Sequence, residues 1–128
     1  MATKVADSDV LIDYLKGVDP GATAVERGLR NDELAITAVN EFEVLCGITS
    51  PATMSSARQF LASIPTLPFD GAAAGVAADI DRQLRARGLR LATADTLIAG
   101  IALANGLSLL TRNIRHFDRI DGLVIETV

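Results

Sequence analysis

The chain has 128 residues, 49% of them apolar and 22% charged, which excludes disorder and supplies enough apolar mass for a buried core. Twelve Lys and Arg against 16 Asp and Glu give a net charge of −4, which speaks against a general electrostatic grip on nucleic acid. Twenty Ala and 16 Leu, with five aromatics and no Trp, favour helix. No repeat or long linker divides the chain, so one domain over 1–128 is expected. The single Cys46 cannot form an internal disulfide, and Met1–Asp7 has no charged-then-apolar leader. Both features predict a cytoplasmic protein. The longest nearly apolar stretch, Leu97–Ala104, is far below the ~18–20 residues of a membrane span.

In chain order, Val5-Ala6 reads as a short strand that stops at Asp7. Ser8 or Asp9 caps a helix over Val10–Lys16, which Gly17 ends. Pro20 starts a second helix that ends near Gly28. Leu34–Thr37 is a buried strand, followed by a helix from about Val39 to Ile48. Residues 53–63 are helical, and Thr66-Leu67 forms a very short strand. Asp70 to about Arg87 is the longest helix, closed by Gly88. Asp95 opens a helix over Thr96–Asn105 that Gly106 closes, and the strands Leu107–Thr111 and Leu123–Ile125 follow. Strands that are apolar runs, alternating with helices, predict an α/β fold with a mostly parallel sheet covered on both faces.

Such sheets place ligand sites at the carboxyl ends of their strands. Asp7, the Thr37–Asn40 region and Thr111–Asn113 all follow strands, and Asp95 at a helix start shares that edge. Asp7-Ser8-Asp9 taken alone is an ordinary turn and cap sequence, and Asp95 also reads as a cap. Glu43 is harder to explain away. Val39, Phe42, Val44, Leu45, Cys46 and Ile48 make its helix apolar nearly all round, so the helix is expected to be buried. A partly buried Glu43 then needs either an Arg partner or a bound cation. Cys46 is expected in the core, and Glu41, on another face, at the surface. Gathered together, Asp7, Glu43 and Asp95 repel and raise one another's pKa unless a divalent cation joins them. An all-oxygen donor set favours Mg²⁺ or Mn²⁺ over Zn²⁺, and carboxylate-held Mg²⁺ suits phosphate chemistry.

At this point the motifs carry a resemblance. Asp7-Ser-Asp-Val-Leu-Ile-Asp13 resembles the opening motif of PIN domains, and Glu43-Val-Leu-Cys-Gly47 resembles their acidic helix. Ala92-Thr-Ala-Asp95-Thr-Leu-Ile-Ala99 resembles their third acidic motif, and Thr111-Arg-Asn113-Ile-Arg-His-Phe117 the fourth, followed by Gly122-Leu123. The VapC-type toxins of bacterial and archaeal toxin–antitoxin pairs are the subgroup most alike. The resemblance implies a three-layer α/β/α sandwich on a five-stranded parallel sheet. It also implies an Mg²⁺- or Mn²⁺-dependent ribonuclease that acts on RNA until a small antitoxin blocks it, commonly as a homodimer. By carry-over, Asp7, Glu43 and Asp95 are the catalytic, metal-holding acids. Asp9 and Thr111 support them. Asn113 stands where many members have a fourth Asp, which favours one tightly held ion over two.

Arg112 and Arg115 adjoin that fourth motif and are candidate RNA-phosphate contacts. Arg82, Arg85, Arg87 and Arg90 crowd the end of the long helix, where cations also suit the negative end of the helix dipole. His116 reads as a structural pair with Phe117 rather than as a general base. A phosphoacceptor receiver domain needs a Lys after a late strand, and Lys occurs only at 4 and 16. A structure-specific DNA nuclease is generally larger and richer in acids. A PIN-like binding or regulatory protein without nuclease activity is the alternative. Setting aside Asp7, Asp9, Glu43 and Asp95 leaves the remaining charges in balance, so the acidic total does not exclude RNA.

Overall fold

A computed structural model describes residues 1–128. In chain order the elements are β1 (Lys4–Ala6), α1 (Ser8–Lys16), α2 (Gly21–Arg30), β2 (Leu34–Thr37), α3 (Ala38–Cys46), α4 (Pro51–Ala62), β3 (Thr66–Leu67), α5 (Gly71–Ala86), α6 (Thr93–Ala104), β4 (Ser108–Leu110), α7 (Ile114–Phe117) and β5 (Ile125–Glu126). The strands form one five-stranded sheet in the order β3-β2-β1-β4-β5, and every pair is parallel. Side chains alternate across such a sheet, and two separate cores result. Ala6, Leu34, Ile36 and Leu110 pack with Val10, Leu11, Val25, Val44 and Leu61 from α1 to α4. Val5 and Leu109 pack on the other face with Ile80, Leu84, Ile98, Ala102 and Phe117 from α5 to α7. This is the predicted α/β/α sandwich.

The helix ends differ from expectation where capping decides. Asp7, not Ser8 or Asp9, caps α1: its carboxylate accepts from the Ser8 N–H, so the helix begins two residues early. Thr37 caps α3 through a reciprocal pair with Asn40, whose amide oxygen accepts from the Thr37 N–H. Ala92 precedes α6 without a side-chain cap, so Asp95 lies inside its first turn rather than before it. Gly28 does not end α2. It sits within the helix because a Cβ there would stand 2.7 Å from Leu34 Cγ. The short helix α7 was not expected, since four residues carry no readable period.

α5 and α6 approach closely because their contact is made of small residues. A Cβ built on Gly100 would lie 2.7 Å from the Ala77 Cβ and 3.0 Å from the Ala73 carbonyl oxygen. Gly100→Ala should therefore push the helices apart. We expect a loss of about 1–3 kcal/mol in urea unfolding, despite the better helix propensity of Ala. A neutral or stabilising result would refute the close packing.

Candidate active site

Order β3-β2-β1-β4-β5 makes β1 the point from which the chain winds in both directions, so a crevice opens beyond the ends of β1 and β4. Asp7 follows β1 and Thr111 follows β4, and they meet across that crevice. The Thr111 hydroxyl donates to Asp7 Oδ2 at 2.7 Å. Asp7 Oδ1 accepts from the Ser8 N–H at 2.8 Å and lies 3.5 Å from the Asn40 amide nitrogen. Asp7 is only 3% exposed. Burial, reinforced by the Asp9 and Asp95 charges, pushes its carboxyl up to about 6, although the Thr111 and Ser8 hydrogen bonds pull the other way.

The remaining acids arrive from separate elements. Asp9, in the first turn of α1, accepts from the Val10 and Arg112 N–H groups at 2.7 and 3.0 Å. Its Oδ2 stands 3.5 Å from the Thr111 hydroxyl. Glu43 reaches in from α3, where its Oε1 accepts from the Ser8 hydroxyl at 2.7 Å. Asn40, one turn earlier, donates to that same hydroxyl at 3.0 Å. Asp95 faces the group from α6. Burial first and Glu43 next raise its carboxyl, while the His116 imidazole, with Nδ1 at 3.6 Å, opposes them.

Asp7, Asp9, Glu43 and Asp95 thus share one edge and one electrostatic field. As placed, no three acidic, His or Cys side chains converge tightly enough to ligate one ion. Each carboxylate instead turns onto a neighbouring hydroxyl, N–H or imidazole, the arrangement that separates like charges. The donor chemistry still fits a hard divalent cation. The donors are all oxygen, the most buried carboxylate carries a raised pKa, and its like-charged neighbours help to raise it.

Several expectations need correction. α3 is not buried all round: Phe42 is 66% exposed, and Ala38 and Cys46 share its outer side. Glu43 has no Arg partner; the Ser8 hydroxyl holds it instead. Arg112 is not a free cation. Its Nε stands 2.7 Å from Asp13 Oδ2 and a terminal nitrogen 3.2 Å from Oδ1, a forked pair that ties the β4 exit to α1. Asn113 offers the site its backbone: its N–H donates to Thr111 Oγ1 at 3.0 Å, and its side chain is exposed. Arg115 is exposed on α7. Ser8, Asn40 and Asp13 lie in segments the sequence places at this edge, but their individual contacts to the acids and to Arg112 emerge only in the fold. The Thr37-to-Asn40 capping spacing and the Asp7-to-Asp13 motif were the available signals.

Comparison with known proteins places the chain in a family. The PIN domain profile matches residues 4–123. Ribonuclease VapC10 of Mycobacterium tuberculosis is 32% identical over 119 residues, covering 93% of this chain and 89% of the relative. The tRNA(fMet)-specific endonuclease VapC of Shigella flexneri is 27% identical over 124 residues, covering 94% and 93%. The crystal structure of DNA-bound VapBC from Salmonella typhimurium superposes with a TM-score of 0.87 at 27% identity, covering 99% of this chain and 98% of that one. The chain belongs to the PIN domain family, in its VapC branch.

Proposed function

We propose that this chain is a divalent-metal-dependent endoribonuclease and the toxin half of a toxin–antitoxin pair. One observation carries the reading. A buried Asp7, with Asp9, Glu43 and Asp95 facing it, sits at the crevice between β1 and β4. Relatives with VapC ribonuclease names, and structural neighbours crystallised as VapBC, support the same conclusion.

Asp7 and Asp95 would hold the cation, Mg²⁺ or Mn²⁺, with Glu43 as the third ligand, directly or through water. The ion supplies Lewis acidity, which favours deprotonation of water and offsets charge on the phosphoryl oxygens. The chain's own residues do the positioning. Thr111 orients the Asp7 carboxylate, and the Asn40–Ser8 relay orients that of Glu43. Asn113 lies at the mouth, free to meet water or a phosphate oxygen. Attack by water in line with the 3′-oxygen leaves a 5′-phosphate and a 3′-hydroxyl.

An antitoxin partner follows from the relatives' complexes, and a groove of about 390 Å³ lined by Ile12, Leu15, Val44 and Ile48 offers it apolar surface. The exposed Ala38, Phe42 and Cys46 stripe on α3 suits a homodimer contact. The test incubates purified protein with defined transfer, ribosomal and messenger RNAs in Mg²⁺, Mn²⁺ or EDTA. Cleavage with 5′-phosphate products is expected in metal and none in EDTA. Asp95→Asn should cut about a thousandfold more slowly, a barrier change of about 4 kcal/mol. Equal cleavage in EDTA, or by Asp95→Asn, would sink the assignment, and RNA binding without cleavage would favour the binding-protein alternative.

A further inference from the structure

We propose that Arg87, Arg90, Arg115 and Arg119 form a phosphate-binding track that delivers an RNA strand to the Asp95 side of the acidic site. The proposal rests on the ribonuclease reading above and assigns the surface that holds its substrate.

The four residues come from the end of α5, the connection into α6, and α7 with the residues just after it. They are stitched together through backbone carbonyls. Arg87 Nη1 donates to the Arg119 carbonyl at 2.9 Å. Arg119 in turn donates to the Arg90 carbonyl at 3.4 Å and to the Arg115 carbonyl at 3.1 Å. A carbonyl satisfies an N–H and fixes the guanidinium plane, but it leaves the positive charge uncompensated. No carboxylate lies within 4.0 Å of any of these four side chains, Asp118 and Asp121 included, although both follow closely in sequence.

The other arginines nearby behave differently. Arg82 pairs with Asp79, Arg85 with Asp81 and Arg112 with Asp13. Four uncompensated cations therefore gather here, on a chain whose net charge is −4, while the other unpaired ones, Lys16, Arg27 and Arg58, are scattered over α1, α2 and α4. It also adjoins the acids. His116, the neighbour of Arg115, stands 3.6 Å from Asp95, and Arg90 lies just before the first turn of α6 that carries Asp95. A site built of carboxylates repels a phosphodiester, so a strand reaching it needs compensating cations alongside. Arg87 and Arg119 are oriented by their carbonyl partners, Arg90 and Arg115 are free to turn, and guanidinium groups without a carboxylate match phosphate oxygens.

The track offers its cations to the backbone. Phe117 is the one Phe, Tyr or Trp between residues 87 and 119 and is fully buried, which leaves the exposed His116 imidazole as the ring beside the track on which a base could stack.

The Arg90 and Arg115 side chains make no hydrogen bond or ion pair, so Arg90→Gln/Arg115→Gln should leave the fold intact. Binding is read by anisotropy of a fluorescein-labelled single-stranded RNA oligonucleotide in EDTA, across a salt series. The double variant is expected to bind about tenfold more weakly and to lower the slope of log affinity against log salt by about 1.4, for two lost contacts. Cleavage in Mg²⁺ should show a raised KM and an unchanged kcat. Arg90→Lys/Arg115→Lys should restore the slope, and Arg58→Gln, exposed on α4, should behave as the parent. Parent-like affinity and slope in the Gln double variant would overturn the track. So would loss of a co-purifying protein partner with RNA binding unchanged, which would assign the surface to that partner. If the parent binds the RNA through these residues yet cuts none in Mg²⁺, the ribonuclease reading fails while the track stands.

Discussion

Asp7→Asn is expected to unfold less readily than the parent protein at neutral pH while losing RNA cleavage by at least about a thousandfold, or about 4 kcal/mol of barrier. The two effects share one cause. Asp7 is buried, and its carboxyl is raised from 3.8 to about 6, chiefly by burial. A native state that holds a proton more tightly than the unfolded chain loses stability once that proton leaves. The cost is absent below about pH 4, grows as pH rises toward 6, and is constant above that. Its full size is about 3 kcal/mol, and an amide removes it while keeping the shape. The amide can donate to Thr111 Oγ1, whose own proton can turn toward Asp9 Oδ2, 3.5 Å away. We expect a gain of about 1–3 kcal/mol in urea unfolding at neutral pH, and little at pH 4. A variant no more stable than the parent at neutral pH, or equally stabilised at pH 4, would contradict the buried-charge account. A buried, ionised Asp7 is thus held against the preference of the fold.

How far this could be read from sequence depended on the range of the interactions. The helices follow from local chemistry: Ala and Leu content, Gly17, Gly88 and Gly106 beyond their ends, and Asp70 and Thr37 at their starts. The parallel sheet was legible as a class because its strands are apolar runs. Strand order was not, because pairing β1 with both β2 and β4 is decided by contacts some 30 and 100 residues apart. α3 departs most from its sequence pattern, although Glu43 on it is partly buried as expected. An apolar helix predicts burial all round, yet Phe42 and Cys46 face outward while Glu43 is held by Ser8. Composition reports how apolar a face is, not what covers it. Ser8 and Asn40 were hidden for a different reason. Each is an ordinary capping residue by type, and only the folded geometry turns their remaining donors toward the carboxylates. Arg112 and Arg115 look alike in sequence, and only the placement of Asp13 separates a paired cation from a free one.

The second large effect concerns the cation itself. Mg²⁺ is expected to stabilise the parent protein against unfolding by about 2.7 kcal/mol at a concentration one hundred times its dissociation constant, and EDTA should reverse the gain. The reason lies in the spread of the carboxylates. Asp7, Asp9, Glu43 and Asp95 face one another, and burial together with mutual repulsion raises both Asp7 and Asp95. A divalent cation offsets that repulsion only in the native state, because the unfolded chain does not gather these residues. Its binding requires ionised carboxylates, so the stabilisation should fade as pH falls below about 6, where Asp7 takes up its proton. Asp7→Asn, already relieved of the buried charge, should respond weakly to Mg²⁺. Arg90→Gln/Arg115→Gln should respond as the parent does, since its lost charges lie outside the acidic group. The measurement is thermal unfolding with and without Mg²⁺ at matched ionic strength. If Asp7→Asn gained as much from Mg²⁺ as the parent, the ion would be binding elsewhere. The stability cost of Asp7 would then stand as a property of burial alone, with no metal to relieve it.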